Sequence, residues 1–112
     1  MKLSSGIKSG SAGRKGRGVF ATRNFKINDI VEQAPVILIP PDDPMLRIKN
    51  EIAQYLYETE DGRSALALGL ASLYNHSYSA NADFYVDVKS KKITIRASRY
   101  IRSGTEITIN YN

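Results

Sequence analysis

Between Asp83 and Ala97, apolar side chains fall on alternate positions on both sides of one polar interruption. Phe84, Val86 and Val88 alternate with Tyr85 and Asp87, and Ile93, Ile95 and Ala97 alternate with Thr94 and Arg96, with Lys89-Ser90-Lys91-Lys92 in the gap. A period of two puts each set on one face of an extended strand, so this stretch predicts an antiparallel hairpin with one buried face. A one-faced hairpin needs further apolar elements to cover it, and this requirement governs how the rest of the chain is read.

The candidates for that cover are short. GVFATRNF reads as a strand carrying Val19, Phe20 and Phe25, and a turn at KIND leads into IVEQAPVILI, rich in β-branched residues and stopped by Pro40 and Pro41, with Pro35 suggesting an edge or a bulge. In DDPMLRIKNEIAQYLYET the spacing of Ile48, Ile52 and Leu56, with Tyr55 beside them, predicts a helix of about three turns. SALALGLASLYN is apolar all round, a buried helix or a buried strand, and its leucines, alanines and Gly69 favour helix. IRSGTEITINY supplies a Ser-Gly turn and a last strand. The expected class is α+β, mostly β, with two short helical segments and no βαβ unit.

The 112 residues make one domain by length, expected over 13–112 behind a flexible basic lead-in at 1–12 that buries little. The absence of cysteine excludes disulfides, thiolate metal sites and cysteine nucleophiles. The longest apolar run, Ala65 to Tyr74, is about half of the ~20 residues a bilayer span needs, and the first residues lack a signal-peptide core, so the chain is read as soluble and intracellular. Charge is unevenly spread: residues 1–28 hold seven basic residues and no acid, while all of the eleven acids except Glu106 lie between Asp29 and Asp87. Basic ends admit a nucleic-acid arm, but the amino-terminal segment lacks interleaved aromatics, and solvated ends explain the same charges.

Two local motifs fail when read alone. Gly16-Arg17-Gly18-Val19-Phe20-Ala21 fits a loose dinucleotide pattern, but that fingerprint must follow a strand and open a helix, whereas here a polar segment precedes it and a strand follows. What these glycines permit is a tight loop whose backbone amides approach a ligand. His76, the single histidine, has no set of partners in sequence that would make a catalytic triad, and one histidine without cysteine makes no metal site.

Taken in order, KGRGVFATRNF, ALGLASLYNHSYSANADF and IRSGTEITINY resemble the SET domain of protein lysine methyltransferases over about residues 12–112, and most of all the small stand-alone viral and bacterial members. The elements of the resemblance are Gly-x-Gly-Val-Phe-Ala, Asn-His-Ser followed by x-x-x-Asn-Ala, and Gly-x-Glu-Ile-Thr-x-x-Tyr. Tyr78 and Ala80 stand where the family usually has cysteine and proline.

The resemblance implies a fold of small β-sheets with a knot-like crossing of the carboxy-terminal segment. It implies S-adenosylmethionine as methyl donor, lying against Lys15, Gly16, Arg17 and Gly18 and contacted by Asn75 and His76. Tyr111 matches the catalytic tyrosine, and Tyr55 matches a tyrosine lining the channel for the substrate lysine. By the same resemblance His76 belongs to a polar link that binds cofactor and braces the crossing, and no metal is involved. The substrate would be a lysine of a histone-like or other basic protein tail, attracted by Asp42, Asp43, Glu58, Glu60 and Asp61, in the cytoplasm or in a host nucleus. Relatives continue beyond the final tyrosine with an aromatic that closes the channel, so by the resemblance either a second copy, as a homodimer, or another protein completes the site, or the chain is truncated, or activity is weak. A non-catalytic SET-fold module that binds peptides is the alternative to an enzyme.

Overall fold

The computed structural model describes residues 6–47 and 55–111. Among them are nine strands and no α-helix: β1 (Ile7–Ser11), β2 (Arg17–Ala21), β3 (Ile30–Ile39), β4 (Tyr57–Glu58), β5 (Ser64–Ala67), β6 (Asn75–His76), β7 (Ala82–Asp87), β8 (Lys92–Ala97) and β9 (Glu106–Ile109). Short 3-10 turns occupy Gly13–Lys15 and Pro44–Arg47. None of the described helices is long and apolar enough to cross a membrane.

The expected hairpin is β7 and β8, paired from Ala82↔Ala97 to Asp87↔Lys92. Its inward set, Ala82, Val86, Ile93, Ile95 and Ala97, joins Val19, Phe25, Ile101, Ile107 and Ile109 in one core. Each fully buried isoleucine of that set contributes about 1.5–3 kcal/mol, which is what lets such short strands hold together. β3 covers the hairpin by exchanging partners along its length. Its first half pairs with β8 as far as Pro35↔Lys92, and its second half pairs with β5 from Val36↔Ala67 to Ile39↔Ser64. Pro35, which has no N–H to donate, stands at this handover, while the register shift in β3 lies earlier, between Ile30 and Glu32.

Two expectations are corrected. SALALGLASLYN is not a helix but β5 followed by a turn. Pairing with β3 and β4 puts Ala65 and Ala67 inward at a period of two, and Gly69, at φ +66°, breaks the chain direction in the left-handed region. Residues 7–11, placed in a flexible lead-in by composition, are β1, held by the full register from Ile7↔Ala21 to Ser11↔Arg17. Small polar residues make a poor core but pair well as an edge ribbon. The helix expected around Ile48 and Ile52 falls largely on residues 48–54, outside the described residues.

β9 carries the arrangement that matters for the site. It lies antiparallel to β2 (Val19↔Ile107, Phe20↔Glu106), and parallel to β6 (Asn75↔Thr108, His76↔Ile109) and to the start of β7 (Ala82↔Ile109). The side chain of Asn81 stands in for a neighbouring strand: its amide donates to the Glu106 carbonyl at 3.0 Å, and its oxygen accepts from the Thr108 N–H at 2.9 Å. Three distant parts of the sequence therefore meet at one strand.

Candidate active site

The 3-10 turn at Gly13–Lys15 closes on itself, with the Gly16 N–H donating to the Gly13 carbonyl and the Ala12 N–H to the Gly16 carbonyl. Gly16 then turns the chain into β2 at φ +82°, where a Cβ would meet nothing within 4 Å. Its backbone thus borders open space, a cavity of about 360 Å³ lined by Lys15, Gly16, Arg17, Tyr55, Ser72, Leu73, Tyr74, Asn75, His76 and Tyr111.

Of the residues assigned from the sequence to cofactor, catalysis and lysine channel, all but Gly18 line this one cavity. Gly18 is buried behind it, where a Cβ would stand 2.6 Å from Glu106 Oε2 and 2.9 Å from Asn75 Nδ2. Its lack of a side chain makes room for a contact between two other residues.

That contact orders the floor of the cavity. Asn75 Nδ2 donates to Glu106 Oε2 at 2.7 Å and to the Arg17 carbonyl at 3.1 Å, while Lys15 Nζ pairs with Glu106 Oε1. The Arg17 guanidinium donates to the Ser9 hydroxyl across the β1–β2 ribbon.

Tyr111 is held at both ends. Its main-chain N–H donates to His76 Nδ1 at 3.1 Å, and its hydroxyl donates to the Tyr74 carbonyl at 2.7 Å. Because Nδ1 accepts, the ring proton of His76 sits on Nε2, a buried atom with no hydrogen-bond partner among the described residues. The His76 ring also stacks with Tyr111, centroids 6.0 Å apart, and meets Tyr78 edge-on at 4.5 Å. Burial pushes the Tyr111 phenol above its ordinary value. With its proton committed to Tyr74, the oxygen remains an acceptor.

The segment that receives Tyr111 is itself anchored. Glu32 is 4% exposed and accepts from the Tyr74 hydroxyl at 2.8 Å and the Leu70 N–H at 2.9 Å. Burial raises the Glu32 carboxyl, and burial followed by the nearby carboxylate raises the Tyr74 phenol. Tyr57 packs between Phe84 and Tyr111, with ring centroids at 4.8 and 5.4 Å, and donates to the Ala71 carbonyl at 2.6 Å. Tyr55, chosen from the sequence as a channel residue, lines the cavity 41% exposed. Tyr57, two positions later, is the tyrosine packed on Tyr111.

Sequence reasoning passed over Glu32, Tyr57, Tyr74, Asn81 and Glu106. Glu106 offered a signal: it is the single acid after Asp87 and sits inside the Gly-x-Glu-Ile-Thr stretch. Glu32 offered none, being with Gln33 one of two adjacent polar residues within an otherwise apolar strand.

Comparison with known proteins gives a consistent result. A family model described as SET domain matches residues 16–112. The chain is 31% identical over 102 residues to a Schizosaccharomyces pombe protein named histone-lysine N-methyltransferase, H3 lysine-37 specific, with 88% of this chain and 67% of that protein covered. A crystal structure of a Plasmodium falciparum protein assigned as a histone methyltransferase superposes with a TM-score of 0.79 at 30% identity, covering 98% of this chain and 96% of that one.

Proposed function

The chain belongs to the SET domain family and is a protein-lysine methyltransferase, and we propose that its donor is S-adenosylmethionine, bound in the cavity between Gly16 and Asn75 and used on a lysine brought to Tyr111. The observation that carries this reading is that Gly16, Asn75 and Tyr111 line one and the same cavity. The mostly β architecture is in hand. The β6–β9 pairing supports a crossing of the carboxy-terminal strand beneath the Asn75–His76 segment, as in other members of the family.

The residues present fit this donor. Gly16 leaves space where any Cβ would project, Asn75 lines the cavity with its amide nitrogen held by Glu106 and the Arg17 carbonyl, and Lys15 and Arg17 bring positive charge to the lining. When bound, the cofactor supplies a methyl group on a sulfonium, open to in-line attack by an amine. The protein's task is alignment and delivery of a neutral amine. A free lysine is neutral in only about one molecule in 2,500 at pH 7, a deficit of roughly 4.6 kcal/mol.

Tyr111 cannot supply that deficit as a base, since burial keeps its phenol protonated. With its proton given to the Tyr74 carbonyl, its oxygen accepts an N–H of the incoming amine and turns the nitrogen lone pair toward the methyl. Aromatic walls from Tyr55 and Tyr111, the latter backed by Tyr57, strip water from the amine, and desolvation lowers an amine pKa. The proton then leaves to solvent.

We assign the substrate to basic protein tails of the histone kind. Glu58 and Glu60 are exposed beside β4, and Asp61 is paired with Arg63. Calorimetric titration with S-adenosylmethionine, followed by transfer of labelled methyl to a histone-tail peptide, tests the reading. Binding weakened by Asn75→Ala together with methylated lysine supports it, and absence of binding by the folded chain overturns it.

A further inference from the structure

The Tyr111 hydroxyl ends on a main-chain carbonyl, that of Tyr74, at 2.7 Å. A carbonyl has no rotamer of its own, so its direction is set by whatever holds the backbone of its segment. Residues 68–74 form neither strand nor helix before β6 begins at Asn75, and side chains take the place of a ladder there. Glu32 enters from β3, 4% exposed, and accepts from the Leu70 N–H at 2.9 Å through Oε2 and from the Tyr74 hydroxyl at 2.8 Å through Oε1. One carboxyl group thus grips both ends of the 70–74 turn. Gly69, at φ +66°, makes room for it, since a Cβ there would stand 2.6 Å from Oε2. Tyr57 holds the middle, donating to the Ala71 carbonyl at 2.6 Å.

Burying a carboxyl group is costly, and apolar packing would hold a plain turn at less cost. What a fully satisfied buried polar group adds is one fixed arrangement of the backbone around it. We propose that Glu32 is a positioning residue for methyl transfer: by fixing Tyr74 from its side-chain end it aims the Tyr74 carbonyl, and through that carbonyl the Tyr111 hydroxyl. Tyr74 carries both links, its phenol on Glu32 and its carbonyl on Tyr111. Glu32 itself is not among the residues that line the cavity. The inference rests on the reading of Tyr111 as the group that receives the amine, and deepens it. Asn75 has separate anchors in Glu106 and the Arg17 carbonyl, so a loosened Tyr74 leaves the cofactor end of the cavity in place.

The test measures single-turnover methyl transfer to a histone-tail peptide by the full chain at saturating S-adenosylmethionine. Tyr74→Phe deletes the hydroxyl that reaches Glu32 and keeps the carbonyl that receives Tyr111. It is expected to slow transfer about tenfold or more, with S-adenosylmethionine affinity changed less than about threefold, because misplacing a reacting partner acts on the rate and not on cofactor binding. A destabilised control, Ile95→Val in the hairpin core, is expected to keep the rate within about twofold. A rate unchanged in Tyr74→Phe, or lowered equally in Ile95→Val, overturns the proposal.

Combination with Tyr111→Phe gives a second readout, one that a purely structural role would not move. If Glu32 acts through the Tyr111 hydroxyl, Tyr74→Phe has no further effect once that hydroxyl is gone, and the double variant transfers at the rate of Tyr111→Phe. A further loss of about tenfold in the double variant overturns the proposal, since Tyr74 would then act by another route. If Tyr111→Phe alone retains full activity, the reading of Tyr111 fails and this inference falls with it. A slow Tyr111→Phe beside a fully active Tyr74→Phe sinks the inference alone. Should Tyr74→Phe not fold, Glu32→Gln serves, since it keeps the size of the side chain and replaces one of the two acceptors with a donor. It is held to the same two comparisons, with the same outcomes for and against.

Discussion

The main-chain N–H of Tyr111 ends on Nδ1 of His76, 3.1 Å away, so the lone imidazole of this chain fixes the backbone that carries the Tyr111 phenol. The pairing His76↔Ile109 brings the two together, and the Tyr111 hydroxyl bond to the Tyr74 carbonyl completes a clamp on both sides of the same residue.

His76→Leu removes the acceptor and leaves the part-buried Tyr111 N–H unpaired, a loss of about 1–3 kcal/mol. His76→Asn retains an oxygen near the Nδ1 position and is expected to recover at least half of that loss. Thermal denaturation and hydrogen exchange at the Tyr111 amide check both. Equal destabilisation by the two variants would show that ring packing, not the Nδ1 bond, is what matters.

Tyr111→Phe keeps the ring contacts with Tyr57 and His76 and deletes only the hydroxyl. Turnover is expected to fall about 100-fold or more, the scale seen when one aligned hydrogen-bonding group is removed from an active site, with cofactor affinity changed less than about threefold. Single-turnover methyl transfer with a histone-tail peptide measures the first, and calorimetry measures the second. Full activity in the variant would remove Tyr111 from the chemistry.

Gly18→Ala places a methyl 2.6 Å from Glu106 Oε2 and 2.9 Å from Asn75 Nδ2. Overpacking of this kind costs about 1–3 kcal/mol, and here it also separates the two groups that orient the cavity floor. Cofactor affinity should drop together with stability. Gly16→Ala meets no atom at its Cβ but forces an L-residue to φ +82°, so its effect is on the backbone of the loop. Comparing melting temperature and S-adenosylhomocysteine affinity for the two variants distinguishes crowding from backbone strain.

Glu32 ties stability to pH in a direction that can be worked out. Burial raises its folded carboxyl above the ordinary 4.5, so the folded state holds its proton to higher pH than the unfolded state. The stabilisation linked to that proton is fully present below pH 4.5 and is lost as pH rises through the raised value. Glu32→Gln cannot titrate and should flatten this part of the pH–stability curve. Denaturant unfolding of both proteins at a series of pH values between about 4 and 8 measures it, and parallel curves would show that Glu32 does not titrate across that range.

The hairpin of β7 and β8, strand β3 and strand β9 were legible because their information is local. A period of two between turn residues allows few alternatives, and Ile93, Ile95, Ile107 and Ile109 are buried where that period puts them. The order of the glycine loop, the Asn75-His76 pair and the terminal tyrosine was legible through resemblance, and the cavity brings Lys15, Gly16, Arg17, Tyr55, Asn75, His76 and Tyr111 together.

Residues 64–74 were not legible in this way. Being apolar all round they lack a period, and the choice of strand over helix was made by the hydrogen-bonding edge that β3 offers. Nor was the wiring of the site legible. Asn75 and Glu106 are 31 residues apart, Lys15 and Glu106 are 91 apart, and Glu32 and Tyr74 are 42 apart. The sequence by itself determined which segments would be strands wherever alternation was strict, and which residue types stood ready for chemistry. The tertiary structure alone decided which carboxylate, amide and hydroxyl would share a proton, because hydrogen bonds form over about 3 Å of space and carry no trace along the chain.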